Sequence, residues 1–256
     1  MKITTSFFAS LLLALSAFTQ NDTITINASN VNTKFIKPSN NRYLVYFKMK
    51  ENAPRTFVQF WTRSIDTTTY NNTKAFKITQ SWEDKDSIMH TTNSIVDANN
   101  FTSFYHNSWW KAKGSSEYNF IAKQAKIDNI ELNNYDTAKL RKLAWENFKQ
   151  SWNSYNLNWH LDLEVFSILP YKNNVTFLIP YYDPGFGAPK NVAYTVIGSD
   201  KLVVYDKKYI DCWLLQQEDK GNKEIFWISK KTQEVLKLEQ TFGGRFRYKI
   251  KLAYSN

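Results

Sequence analysis

Apolar and polar residues alternate with period two through most of the chain. "RYLVYFKMK" from Arg42, "RTFVQFWTRSI" from Arg55 and "KAFKITQSW" from Lys74 follow one another, and the last puts Phe76, Ile78, Gln80 and Trp82 on one face. "DSIMHTTNSIV", "FTSFYHNSWWKAK" and "EYNFIAKQAKI" continue the series. After residue 170 come "NVTFLIPYY", "NVAYTVIG", "KLVVYD", "YIDCWLLQQ", "EIFWIS", "EVLKLEQ" and "RFRYKIKL". Short runs of this kind, separated by Asn, Asp or Gly, predict an antiparallel meander and not alternating βαβ units.

The period changes once, to that of a helix. In "DTAKLRKLAWENFKQSWNSY", Leu140, Leu143, Ala144, Phe148, Trp152 and Tyr155 recur at helical spacing. Asp136 is placed to cap the start. "NWHLDLEVFSIL" predicts a second, partly helical piece ending before Pro170. The expected fold is mainly β: a large curved antiparallel sheet with one or two helices packed on its concave face. The predicted organisation is a polar segment over 21–41 and a single β-rich domain over 42–256, with a helical insertion at about 136–169. Residues 1–20 read as a secretory signal peptide, with Lys2 ahead of an apolar run, Phe7 to Leu15, too short to span a bilayer. No later segment is long and apolar enough to cross a membrane, so the mature protein is expected to be soluble, exported and most simply periplasmic.

Composition sharpens this. Nine Trp, 15 Tyr and 18 Phe make the chain 16% aromatic, while 7 Gly and 6 Pro argue against low complexity. The net charge is +10, or 10 − 1 = +9 without Lys2. An exported cation of this size meets anionic envelope surfaces before nucleic acid, which is not expected as a partner. Cys212 is the sole cysteine, so no internal disulfide forms, and its apolar setting predicts a buried, inert thiol. In the last strand, Phe246, Tyr248, Ile250 and Leu252 share one parity, read as the core side. Arg245, Arg247, Lys249 and Lys251 share the other, read as a solvated face that could meet an anionic membrane surface.

The sequence carries no catalytic, metal or cofactor motif. His90, His106 and His160 are far apart and lack ligand spacing. His160, Asp162 and Glu164 would share a face on a strand but fan over about 200° on a helix. "DPGFGAPK" lacks the ending of a phosphate loop, and Asp183, Pro184 and Gly185 read as turn chemistry. Trp109 with Trp110 and Tyr181 with Tyr182 are adjacent aromatics. On a strand such neighbours face opposite ways, so one of each pair could leave the core and stack on sugars or line a lipid cavity. The alternative is that both sheet faces are covered there.

The run from "YTVIGSDKL" through "YIDCWLLQQEDKGNKEIFWISKKTQEVLKLEQTFGGRFRYKIKL", with "LDLEVFSILPY" upstream, resembles domain-of-unknown-function family 3108 of exported bacterial proteins. The carrying pieces are Gly198–Leu202, Asp211–Trp213 and Phe226–Glu239. That family is similar in architecture to the lipoprotein-carrier (LolA/LolB-like) superfamily. The resemblance implies an open half-barrel plugged by a helix, and no catalytic residue. Asp-Ser/Thr pairs at Asp22, Asp66, Asp86 and Asp136 resemble the glycosylation signal of exported Bacteroidota proteins. The expected function is non-enzymatic binding or carriage of an apolar or amphipathic ligand, such as lipid, lipoprotein acyl chain or glycolipid. Its candidate contacts are Leu140, Leu143, Phe148, Trp152, Trp109, Trp110, Tyr181 and Tyr182. The alternatives are a carbohydrate-binding secreted module and a structural envelope protein that scaffolds a partner.

Overall fold

Several of the chain's reversals are tight two-residue hairpins. Asn71–Asn72, Asp128–Asn129, Lys220–Gly221 and Gly243–Gly244 each have both residues at positive φ. That is the turn geometry whose twist matches paired strands, and Asn, Asp and Gly reach it most readily. The computed structural model describes residues 22–252, so the expected signal sequence lies outside the described residues.

The strands are β1 (Asp22–Thr25), β2 (Ser39–Lys48), β3 (Thr56–Tyr70), β4 (Thr73–Asp84), β5 (Ser87–Asp97), β6 (Ser103–Trp110), β7 (Gly114–Asn119) and β8 (Gln124–Ile127). After them come β9 (Ile130–Glu131), β10 (Leu157–Asn158), β11 (Val175–Tyr182), β12 (Lys190–Val203), β13 (Tyr209–Asp219), β14 (Asn222–Ser229), β15 (Val235–Phe242) and β16 (Arg245–Leu252). Two helices, α1 (Lys139–Gln150) and α2 (Asp162–Ser167), lie between β9 and β11. All 16 strands join one open sheet, in the order β1-β11-β12-β13-β14-β15-β16-β2-β3-β4-β5-β6-β7-β8-β9, with β10 beside β11. Pairing is antiparallel except that β1 and β10 each run parallel to β11.

The predicted runs map onto these strands with two differences. "EYNFIAKQAKI" splits into β7 and β8. "NVAYTVIG" and "KLVVYD" merge into β12, which absorbs an irregularity between Val196 and Gly198. The stretch read as a polar lead, 21–41, contains β1 and the start of β2.

Side-chain contacts measure the curvature. Tyr182 on β11 and Tyr118 on β7 have ring centroids 6.4 Å apart. Eleven strand spacings separate them along the sheet, roughly 50 Å if it were flat. The sheet therefore curls until its flanks face each other, and the two helices fill the gap. α2, about 9 Å long, touches several strands at once: Phe166 meets Tyr194 on β12 and Phe226 on β14, while Glu164 meets Arg63 on β3. Its surroundings, with Val165, Leu169, Phe177, Ile179, Leu215 and Leu238, form a solvent-free core.

α1 differs from expectation in its buried face. Ala144, Trp145 and Phe148 are buried, whereas Leu140 and Leu143 are 79% and 55% exposed. Trp145 replaces the two leucines because the helix packs on Tyr118 and Tyr182 through Phe148. The cap also differs. Ala138 holds the cap position, and Asp136 instead accepts from the Ala138 N–H at 2.9 Å and pairs with Arg141.

Candidate functional site

The inward faces of β3 to β6 set polar side chains among core residues such as Ile65, Ile78 and Val96. Arg63, Gln80, His90, Thr92, Ser94, His106 and Ser108 are all buried, each at an inward position of the alternating pattern. The same parity carries Trp61, Trp82 and Trp110. Trp61 and Trp82 stack at 3.7 Å, and His90 stacks on Trp110 at 3.7 Å.

Arg63 anchors the cluster. Its Nε donates to Glu164 Oε1 at 2.9 Å, and Nη2 donates to Glu164 Oε2 and, at 3.0 Å, to the His160 carbonyl. Nη1 donates to Asp162 Oδ1 at 3.3 Å. Burial alone would lower its pKa, but the charges of Glu164 and Asp162 outweigh that and raise it. His160, Asp162 and Glu164, which a single helix would have splayed, thus meet one guanidinium because a 3-10 turn (159–161) precedes α2.

The three histidines, distant in sequence, converge. His160 lies 4.6 Å from His106 and 5.6 Å from His90, ring centre to ring centre. Burial first, then mutual proximity, holds His160 down to about 3 and His106 well below the usual value, while burial holds His90 down to about 4. His90 Nδ1 donates to the Trp109 carbonyl at 2.9 Å, which leaves Nε2 as a bare acceptor. Among the described residues no group of three or more His, Cys, Asp or Glu is arranged to hold a metal ion.

Beside this cluster lies a cavity of about 230 Å³. Its walls are Trp61, Trp82, Trp110, Trp159 and Phe186, with Arg63, His160, Asp162, Asp183, Arg247 and Lys249 among them. Asp183 and Phe186 come from the loop after β11, where Gly185 turns at φ +86° and a side chain would press on the Tyr118 hydroxyl. Burial pushes the Asp183 carboxyl up to about 6, against the pull of Lys190 and Lys113. Among the described residues, Trp82 Nε1, Trp110 Nε1 and Arg247 Nε are buried here without a hydrogen-bond partner, and His160 Nε2 has only a 3.4 Å contact with Asp183 Oδ1. Buried polar atoms in native interiors usually have a protein or water partner, so these four are points at which a water or a ligand group would be hydrogen-bonded.

Other spaces surround it, and one of about 690 Å³ shares Trp159 and Arg247 with its lining. A cleft of about 780 Å³ is lined by Leu140, Leu143, Ile127, Ile130, Trp110 and Phe186. A cavity of about 460 Å³ opens on the far side of Glu164, toward Tyr43 and Val235, and its lining includes no unpartnered buried side-chain atom among the described residues.

The expected site residues therefore separate. Trp110 lines the tryptophan cavity and Leu140 and Leu143 line the cleft, but Phe148 is wholly buried and Trp152 packs beside it. Tyr181 and Tyr182 are both buried, one in each core cluster, so neither offers a free aromatic face. Trp109 points outward, 38% exposed. The last strand is reversed relative to expectation. Lys249 is 2% exposed and lines the tryptophan cavity with Arg247, while Tyr248 stacks outside on Tyr46. Arg245 is exposed and Lys251 pairs with Glu234. Cys212 is free and buried, its thiol pushed up by burial.

A family model described as "Protein of unknown function (DUF3108)" matches residues 42–251. The chain belongs to this family. The match runs from β2 to β16 and so covers every residue lining the tryptophan cavity. No curated protein and no solved structure matches the chain. Among the described residues no helix is long and apolar enough to cross a membrane.

Proposed function

We propose that this DUF3108 protein is an exported, non-enzymatic envelope protein that binds an amphipathic ligand. The polar part occupies the tryptophan cavity and the apolar part lies along the cleft beside α1. The observation that carries this reading is a shared wall: Trp110 and Phe186 line both spaces. One space is charged and rich in unpartnered polar atoms. The other presents Leu140, Leu143 and Ile130, each about half exposed or more. A lipid, a lipoprotein acyl chain or an envelope glycolipid has both parts. The cleft lies within the size range of small-molecule sites. Covering about 200 Å² of apolar surface there is worth roughly 5 kcal/mol before ordering costs. The lipoprotein-carrier architecture implied by the sequence resemblance enters this proposal only as an analogy of shape, supported by an open sheet that curls around a helix. Export rests on the leading pattern of residues 1–20.

Mass spectrometry of protein purified without detergent tests the reading. Co-purified lipid is expected in the native chain and is lost in a Leu140→Ser/Leu143→Ser variant. Native protein free of lipid that also binds no dodecyl-chain probe overturns it. A second reading, a carbohydrate site, draws on the tryptophan walls beside Asp162 and Asp183. It predicts glycan-array binding that Trp110→Ala abolishes and the leucine variant leaves intact.

A further inference from the structure

The polar part of the ligand narrows once the cavity's charges are sorted into those already engaged and those left over. Arg63 is engaged by Glu164, Asp162 and the His160 carbonyl. Lys249 and Arg247 make no side-chain hydrogen bond among the described residues. The Lys249 ammonium stands 4.0 Å from Asp162 Oδ2, beyond hydrogen-bond distance, and 4.4 Å over the Trp61 ring. Arg247 has a buried Nε with no partner. Its carboxylate neighbour Glu224 already accepts from Tyr194 at 2.9 Å and Gln240 at 3.2 Å. The two cations sit two residues apart on β16, so both point to the same side, about 7 Å apart along the strand. The other unpartnered groups at these walls, Trp82 Nε1 and Trp110 Nε1, are also donors, while His160 Nε2 lies 3.4 Å from Asp183 Oδ1. Arg63, Arg247 and Lys249 line the cavity with Asp162 and Asp183, and Glu164 and Glu224 stand just behind Arg63 and Arg247, so what is left over is donors rather than net charge. A pocket of spare donors on two cationic side chains fits an oxygen-rich anion.

We infer that the tryptophan cavity receives an anionic phosphate or carboxylate group, held by Lys249 and the Arg247 guanidinium. This inference deepens the amphipathic reading and names its headgroup. The anion could belong to a lipid headgroup or to a free solute. The shared chemistry is a compact oxyanion with an aromatic wall beside it.

Titration calorimetry and tryptophan fluorescence on the full chain, with three probes, test it. Dodecyl phosphate is expected to bind at least tenfold more tightly than dodecyl maltoside, and inorganic phosphate to compete with it. Arg247→Gln and Lys249→Met each lower dodecyl phosphate affinity about tenfold, whereas Arg245→Gln, exposed on the same strand, has no effect. Equal binding of the phosphate and maltoside probes, unchanged in both variants, overturns the inference and leaves the amphipathic reading standing. Phosphate binding to which a dodecyl chain adds nothing supports the inference and removes the amphipathic reading, and the source is then a free solute.

Should Lys249→Met fail to fold, the native protein gives the same answer through pH. Burial lowers the Lys249 ammonium to about 8, with Arg63 from β3 and Arg247 from its own strand in the same sense and Asp162 from α2 and Glu224 from β14 opposing. Binding of sulfate, whose charge is constant, should weaken severalfold from pH 7 to 9. Flat sulfate binding across that range removes Lys249 from the site.

Discussion

The two flanks of the curled sheet share one core, but only one of them sets polar side chains into it. From β11 to β15 the inward side chains include Val175, Phe177, Tyr194, Val196, Leu215, Phe226 and Leu238, and Phe166 of α2 is packed among them without solvent. From β16 through β6 they include Lys249, Arg63, Gln80, His90, Ser94 and His106, equally buried. The alternation in sequence is the same in both flanks. The apolar flank stabilises the fold by area, and the polar flank depends on each group finding its partner.

Substitution at Arg63 should separate the two most sharply. Arg63→Met leaves Glu164 and Asp162 without their guanidinium and lowers stability by about 3–5 kcal/mol in urea unfolding. An Arg63→Met/Glu164→Leu double variant recovers most of that loss, since a buried pair is replaceable by apolar side chains as a unit. If the double variant is no better, the pair is not the source of the loss. Phe166→Ala in the apolar flank costs a similar amount, about 3–5 kcal/mol. There the loss is volume and contact, so no partner substitution that only removes charge should relieve it.

Acid provides the next contrast. His90 and His160 have folded pKa values of about 4 and about 3, below the unfolded value near 6.5. The unfolded chain then binds more protons between those limits, so their contribution is present above about pH 6.5 and lost as pH falls. Each contributes up to about 1.4 kcal/mol per pH unit. Asp183, raised to about 6, and Glu224, also raised by burial, act in the opposite sense and offset part of the slope. Urea midpoints from pH 7 to 4 should fall, and His160→Gln should flatten the fall by about one proton. An unchanged slope would mean that His160 does not titrate on unfolding. The smallest effect belongs to the cleft: Leu143→Ser should move stability by no more than about 0.5 kcal/mol while weakening dodecyl-chain binding. A large stability loss there would assign Leu143 to the core.

The meander, the helical interruption and nearly every strand were legible in the sequence, because period and turn residues act locally. The facing of β16 was not. Its apolar parity, Phe246, Tyr248, Ile250 and Leu252, reads as a core face by the usual rule. Register decides otherwise: Lys249 lies opposite Val45 and Leu238, both fully buried, and pairing forces it inward with them. The convergence of His90, His106 and His160 was likewise invisible, since it arises from curvature and a 3-10 turn. One signal was present. Gln80, His90 and His106 occupy the same parity as Ile78, Val96 and Phe104, and polar residues placed on an apolar stripe mark a polar interior. Leu140 and Leu143 misled for the converse reason, because helical spacing alone does not say which side of an apolar face the sheet covers.

The strand order has a consequence for how the chain reaches this state. The meander of β2 to β9 and that of β11 to β16 are each local, and the seam between them is β16 against β2, the last strand against one of the first. Until residues 245–252 are available, both meanders carry a raw edge and no continuous sheet exists. Assembly thus waits until residues 42–48 and 245–252 are both available, and closing a loop of some 200 residues makes the seam the slow, non-local step. A chain truncated before Arg245 should leave β2 and β15 as open edges and pair with other copies.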